Sequence, residues 1–194
     1  MKKCYIIGGG PSLTNFDWSL LEGHFVIAIN RAYEKLPNAD IIYFTDQDFW
    51  ETHKTNLKKH GGKLLRGTLR LGATKDSDVT EYKLTGPTGI DTNANCLKHG
   101  NNSVHAAINL ALFHLDFDTV YLLGVDMKWK GTQTHWHDGH RRIDHPSVYT
   151  TMINNFNILA KELKSHPQKH VINVNDDSEL KCFPTISIEQ AFQK

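Results

Sequence analysis

The chain has 194 residues, with 22 basic against 21 acidic side chains, a net charge of +1 and three cysteines. That length suits one domain of the usual ~100–200 residues, and the balanced charge excludes a global attraction to nucleic acid, so an anionic partner must be met by a local patch. Cys4, Cys96 and Cys182 are widely spaced and odd in number, which argues against a disulfide framework or a thiolate metal site and implies a reduced, cytoplasmic setting, and no apolar run approaches the roughly 18 residues that span a bilayer.

The first apolar run, Cys4 to Ile7, breaks into the glycines of YIIGGGPSL. A strand that ends in Gly8, Gly9 and Gly10 and then enters a helix at Pro11-Ser12 aims unpaired backbone N–H groups and a positive helix end at a phosphate. A tight turn with no ligand is the alternative. The stretch fails as a dinucleotide fingerprint. Leu13 stands where the third glycine belongs, and the second strand, Phe25 to Ile29, ends in Asn30 rather than an acid. Asn30 and Arg31 follow the second strand and Asp46 follows the third, Ile41 to Thr45. In an open parallel sheet such strand ends build the ligand crevice; helix caps and surface polar residues are the plainer reading. From about residue 58 to residue 98 the chain is rich in glycine and threonine with weak periodicity, and we read it as an irregular insert forming one wall of a site. The basic run Lys54, Lys58, Lys59, Lys63, Arg66 and Arg70 fits a solvated face.

Val104 to Leu115 carries Ala107, Leu110, Ala111 and Leu115 at helical spacing behind Asn101-Asn102-Ser103. One of these three polar residues caps the helix, and the others are available to a ligand. A fourth strand, Val120 to Leu123, leads into Gly124, Asp126 and a loop over about residues 125–145 that holds Lys128, Thr134, His135, His137, His140, Arg141 and Arg142. Its cations and N–H donors suit a mobile loop closing over phosphates. Its histidines follow no known ligand spacing such as HExxH, so no metal is assigned. His145 precedes Pro146 and a long helix ending near Leu163. A helix N-terminus disfavours positive charge, which keeps an imidazole neutral and able to accept a proton; an exposed histidine with no role is the alternative. A fifth strand, Val171 to Val174, precedes a short helix announced by the capping-box spacing of Ser187 and Gln190. Continuous apolar strands alternating with helices predict an α/β protein, a mostly parallel sheet with helices on both faces over residues 1–194, plus the small insert or lid.

The segments KKCYIIGGGPSL, AINRAY, GNNSVHAAINLAL, VYLLGVD, IDHPSVY and NVNDDSELKCFPTISIEQAF occur in the order in which similar segments occur in small bacterial sialyltransferases that decorate lipooligosaccharide, a family this chain resembles at both ends. It is also similar to a broader group of GxGPSL-bearing proteins that includes a pterin pyrophosphokinase branch and many phage-encoded members. The resemblance implies a single Rossmann-like domain and an inverting, metal-independent glycosyltransferase with a CMP-linked donor as co-substrate and no required cofactor. It implies that Gly8, Gly10, Ser12 and Asn30 hold the nucleotide, that Asn102 and Ser103 face nucleotide and sugar, and that His145 is the general base; we place Gly9, Arg31, Asp46, Gly124 and Asp126 beside the nucleotide from their positions at the strand ends. Two tyrosines that neutralise the leaving phosphate in the family have no counterpart after GVD, so Lys128, Thr134, His135 or Arg141 would substitute. The acceptor is a glycan or other hydroxyl-bearing molecule, modified DNA included, and a homo-oligomer fits. A pyrophosphokinase or nucleotidyl transferase would instead need magnesium on Asp46, Asp126, Asp176 and Asp177. A non-catalytic nucleotide-binding protein is the third reading.

Overall fold

A computed structural model describes residues 1–138, 145 and 147–193. Eight strands, β1 (Lys3–Ile7), β2 (Val26–Ile29), β3 (Ile41–Phe44), β4 (Lys63–Thr68), β5 (Val79–Leu84), β6 (Cys96–Leu97), β7 (Thr119–Leu123) and β8 (His170–Asn173), form one sheet in the order 6-5-4-3-2-1-7-8. Every neighbouring pair is parallel. All residues of β2, β3 and β7 are buried, as expected of strands covered on both faces. The chain runs outward from β1 to β6, then returns to the other side of β1 as β7. Because crossovers are right-handed, this reversal moves the connecting helices to the opposite face.

One face packs Ile6, Ile27, Tyr43 and Leu65 against α2 (Ser103–Asn109) and α3 (Ser147–Leu163) through residues such as Ile108, Phe156 and Leu159. The other packs Tyr5, Ile7, Ile42 and Phe44 against α1 (Gln47–Leu57) and short 3-10 turns. There the rings of Phe44 and Trp50 stack 5.7 Å apart. The helix expected over Val104–Leu115 is α2 continued by a π-helical turn, Leu110–His114. Asn102 is its cap, its Oδ1 accepting from the Val104 amide at 2.7 Å. The capping box of Ser187 and Gln190 opens α4 (Ile188–Ala191) as expected.

The irregular insert expected over residues 58–98 is corrected: it contributes β4, β5 and β6 to the sheet. These strands escape a hydrophobicity reading because they approach the sheet edge, where charged and polar residues interleave. β5 reads VTEYKL and is only partly buried. Its return loop is tied down by Asn109, whose Oδ1 accepts from the amides of Asp91 and Lys98 while its Nδ2 donates to the Asp91 carbonyl. Asn109→Leu leaves these backbone groups unpaired in a buried setting and should cost about 3 kcal/mol in urea unfolding; a loss below about 1 kcal/mol would show that the loop is held elsewhere.

His105 is fully buried beneath Gly100 and Phe156, and burial pushes its imidazole from 6.5 down to about 4. The unfolded chain binds that proton more readily, so this contribution is complete above about pH 6.5 and drains away as the pH falls toward 4. Measured against His105→Leu, the wild type should therefore lose about 2 kcal/mol of stability from pH 7 to pH 5. A difference between the two that holds constant across that range would remove His105 from the acid response.

Candidate functional site

The reversal of strand order lies between β1 and β7, and the loops leaving those two strands are packed directly on one another. The Gly8 amide donates to the Leu123 carbonyl and the Gly10 amide to the Gly124 carbonyl, both at 2.8 Å. A Cβ at Gly8 would lie 2.5 Å from the Gly124 oxygen, and one at Gly10 2.6 Å from the Asp126 carboxyl. Gly124 itself has φ +66 and lies against Leu13. The glycines are thus required by backbone approach. This overturns the expected row of unpaired amides: those of Gly8, Gly10 and Ser12 are spent within the chain, and Pro11–Leu13 makes a single 3-10 turn rather than a helix.

Asp126 is the centre of this junction. It is 5% exposed. Its Oδ2 accepts from the Ser12 amide at 2.8 Å, and its Oδ1 accepts from the Ser12 hydroxyl at 2.6 Å and Asn175 Nδ2 at 2.9 Å. Nearby, the Ser178 hydroxyl donates to the Val125 carbonyl. Ser12 and Asp126, expected beside a nucleotide, form the clasp that joins the loops, and Asp126 also lines the cleft above it. Asn175 and Ser178, which sequence reasoning passed over, belong to the same clasp. Of the carboxylates that a magnesium site would need, Asp126 already accepts three hydrogen bonds and Asp177 pairs with Lys128 at 2.6 Å. Among the described residues no three metal-ligating side chains converge; His140, with Arg141 and Arg142, lies outside them.

Above the junction opens a cleft of about 380 Å³, part of it open to solvent. It gathers Gly9, Gly10, Gly124 and Asp126 on its floor, Asn102 from the start of α2, and Lys128, Thr134 and His135 from the loop after β7. Val104, Val125, Met127 and Tyr149 complete the lining, and none of the four was expected there from the sequence. The Lys128 ammonium is held above its usual range by the Asp177 carboxylate, with Glu179 4.0 Å away. It is a paired cation with N–H donors left over for a further acceptor. Asn102 has its Oδ1 committed to the helix cap, while its Nδ2 points at Met152 Sδ at 3.4 Å. A thioether is a weak acceptor that an oxygen readily replaces.

Segment 133–138 crosses the glycine loop. The Trp136 amide donates to the Gly9 carbonyl at 2.9 Å, and a Cβ at Gly9 would meet the His135 ring at 2.5 Å. The Thr134 hydroxyl is 2.9 Å from His135 Nδ1. Arg31 holds the far side. Its Nε and Nη2 fork onto Glu34 at 2.7 and 2.9 Å, and its Nη1 reaches His137 Nδ1 at 3.2 Å and the Asp138 carbonyl. Arg31 thus anchors this segment.

Asn30, at the end of β2, has φ +49. Its Oδ1 is buried without a partner, as are the indole nitrogens of Trp129 and Trp136. Buried polar atoms nearly always find partners; none of these three residues is among those that line the cleft. The Ser103 hydroxyl lies 3.2 Å from the Thr45 hydroxyl, and Asp46 is an exposed residue at the start of α1 with no capping bond. Neither lines the cleft. His145 lies one turn before Tyr149 at the start of α3, exposed, with Nδ1 3.0 Å from the Ser147 hydroxyl.

No protein-family model matches this sequence. The curated proteins contain no match either. Among solved structures, the chain is similar to the sialyltransferase CstII from Campylobacter jejuni in complex with a substrate analogue, CMP-3FNeuAc, at a TM-score of 0.55 and 14% identity over 96% of this chain and 86% of that one. It is also similar to a point mutant of the alpha-2,3/8-sialyltransferase CstII, at a TM-score of 0.53 and 16% identity over 96% of this chain and 87% of that one. At that level of identity the likeness is one of fold, and it spans nearly the whole chain: the protein has a sialyltransferase-like, Rossmann-like α/β fold.

Proposed function

We propose that this protein is an inverting glycosyltransferase that takes a sugar from a nucleotide donor, most simply a CMP-linked one, and delivers it to an acceptor hydroxyl. The observation that carries the reading is the buried, unpartnered Oδ1 of Asn30 at the carboxyl end of β2, next to the strand-order reversal. An orphaned acceptor there calls for a ligand N–H or O–H, which a base or ribose edge supplies. The replaceable contact of Asn102 Nδ2 with a thioether supports the same reading from the α2 side, as does the fold's likeness to a protein that was crystallised with a CMP-sugar analogue.

In this scheme the acceptor oxygen attacks the anomeric carbon as the bond from that carbon to the phosphate breaks. The electron pair leaves with the nucleotide phosphate, and the acceptor proton passes to the imidazole of His145. Donors preorganised around the departing phosphate supply the largest share of the acceleration. Asn102, Thr134 and His135 are the lining groups suited to that task, with Lys128 joining through the N–H donors that its carboxylate partner leaves over. No step requires a metal or cofactor. The likeness of shape does not extend to the acceptor, and a soluble glycan, a lipid-linked one or a modified DNA base all present the required hydroxyl. Among the described residues no helix is long and apolar enough to cross a membrane.

In a thermal-shift panel of CMP, CDP, UDP, GDP and ADP, with and without magnesium, CMP should raise the melting temperature most, since a ligand of the native state stabilises it by RT ln(1 + [L]/Kd). Asn30→Gly keeps the left-handed backbone and deletes the orphaned oxygen, so it should weaken CMP binding about tenfold without lowering the stability of the free protein. Undiminished CMP affinity in that variant would sink the assignment. His145→Ala should lower transfer by roughly 10² to 10⁴ while CMP affinity stays within about twofold. Binding without transfer to any hydroxyl acceptor in the wild type would instead indicate a nucleotide-binding protein, and transfer abolished by a chelator would restore the magnesium reading.

A further inference from the structure

The loop after β4 holds two large apolar side chains in water. Leu69 is 75% exposed and Leu71 51%, and among the described residues only Met1 and Ile158 share that state. An unbraced loop can turn such side chains inward, but this one is tied on both sides of its tip. The Thr68 hydroxyl donates to the Arg70 carbonyl at 3.1 Å and accepts from the Arg70 amide at 3.3 Å. Gly72 turns the chain at φ +79 with open space around it. The Glu81 carboxylate then accepts from the Gly72 amide and from the amide and hydroxyl of Thr74. The buried Arg66 guanidinium donates to that same hydroxyl at 2.8 Å, and Lys58 pairs with Asp76 at 2.6 Å. Polar groups from α1, β4 and β5 thus fix a loop whose tip is Leu69-Arg70-Leu71.

The charge around the tip has one sign. Residues 68–75 and 83–98, which leave β4 and run from the end of β5 past β6, carry Arg70, Lys75, Lys83 and Lys98. Their one acid, Asp91, is buried and accepts from Thr85 and Asn93. Lys83 is exposed and stands opposite Thr68 in the strand register. The exposed acids Asp46 and Asp48 lie one strand inward, after β3, so the positive charge belongs to the outer corner of the sheet.

Two leucines make up a small part of the about 1,200–2,000 Å² that a stable protein–protein interface buries. A fluid apolar surface that carries anions asks for less, because leucines enter it without a matching pocket while neighbouring cations stay at the phosphates. We propose that Leu69 and Leu71 insert into the interface of an anionic lipid bilayer, with Arg70, Lys83 and Lys98 held at its phosphates. The hold is weak and reversible, since only two side chains enter. Every strand is parallel, so this corner and the cleft share one edge of the sheet, with β4 three strand spacings of about 4.8 Å from β1. Docking here brings a lipid-linked hydroxyl toward the cleft. That consequence rests on the transferase reading, whereas the docking itself does not.

The test needs no substrate. In vesicle flotation the wild type should bind phosphatidylcholine vesicles that carry about a third phosphatidylglycerol and leave pure phosphatidylcholine vesicles bare. Leu69→Ser/Leu71→Ser should weaken that binding by about tenfold or more, and Arg70→Gln by about fivefold. All three side chains are exposed, so melting temperatures should stay within about 2 °C of the wild type. Where the double variant melts early, Leu69→Ser alone, at the more exposed position, decides the question with a smaller loss. A wild type that binds neither kind of vesicle, or both alike, overturns the inference. Undiminished binding by the serine variants does so too, since it would reduce the contact to adsorption by charge. A dimer in sedimentation velocity that Leu69→Ser/Leu71→Ser dissolves would give the tip to a second copy of the chain and likewise overturn it. None of these readouts depends on CMP binding or transfer, so the docking and the transferase reading stand or fall separately.

Discussion

The loops leaving β1 and β7 approach so closely that no side chain fits between them, and the Asp126 carboxylate closes the contact by accepting from Ser12 twice and from Asn175 once. A buried anion is costly unless its lone pairs are filled, and here they are filled by donors from both ends of the chain. The clasp thereby fixes the N-terminal loop, the loop after β7 and the C-terminal segment with respect to one another. The floor of the cleft is what remains above it, and its shape follows from the clasp rather than from any ligand.

The same arrangement explains why residues from remote parts of the sequence share one crevice. The reversal of strand order leaves an opening between β1 and β7 that no crossing helix can cover. α2 delivers Asn102 to one side of it and α3 delivers Tyr149, while the segment after β7 lies across the glycine loop and is gripped by Arg31 at the end of β2. Arg31 and Glu34 form a fork–fork pair on one 3-10 turn, so the guanidinium is oriented before it meets the segment. Preorientation of this kind lets a long side chain anchor a loop at small entropic cost.

Much of the framework is readable from composition because a strand covered on both faces must be apolar throughout. β1, β2, β3 and β7 announce themselves in this way, and the caps at Asn102 and Ser187 follow from the chemistry of exposed helix amides. β4 to β6 do not, because Lys63, Thr80 and Lys83 face solvent near the sheet edge and interrupt the pattern. The site was harder to read than the sheet. Gly9, Gly10, Asn102, Gly124 and Lys128 line one cleft, but position in the sequence says nothing about what a polar group has already bonded. Ser12 meets Asp126 across 114 residues and Arg31 meets His137 across 106. Pairings of that reach depend on the finished topology, so no local pattern in the sequence announces them.

The imidazole of His135 occupies the space that a side chain at position 9 would need. The two positions therefore share one volume, and the sum of their side chains is bounded even though neither is bounded alone. Along any path of sequence change that keeps this crossing, position 9 gains atoms only after position 135 has given them up. A redesign that seeks a wider mouth thus has its starting point at residue 135, with the glycine loop left as it is.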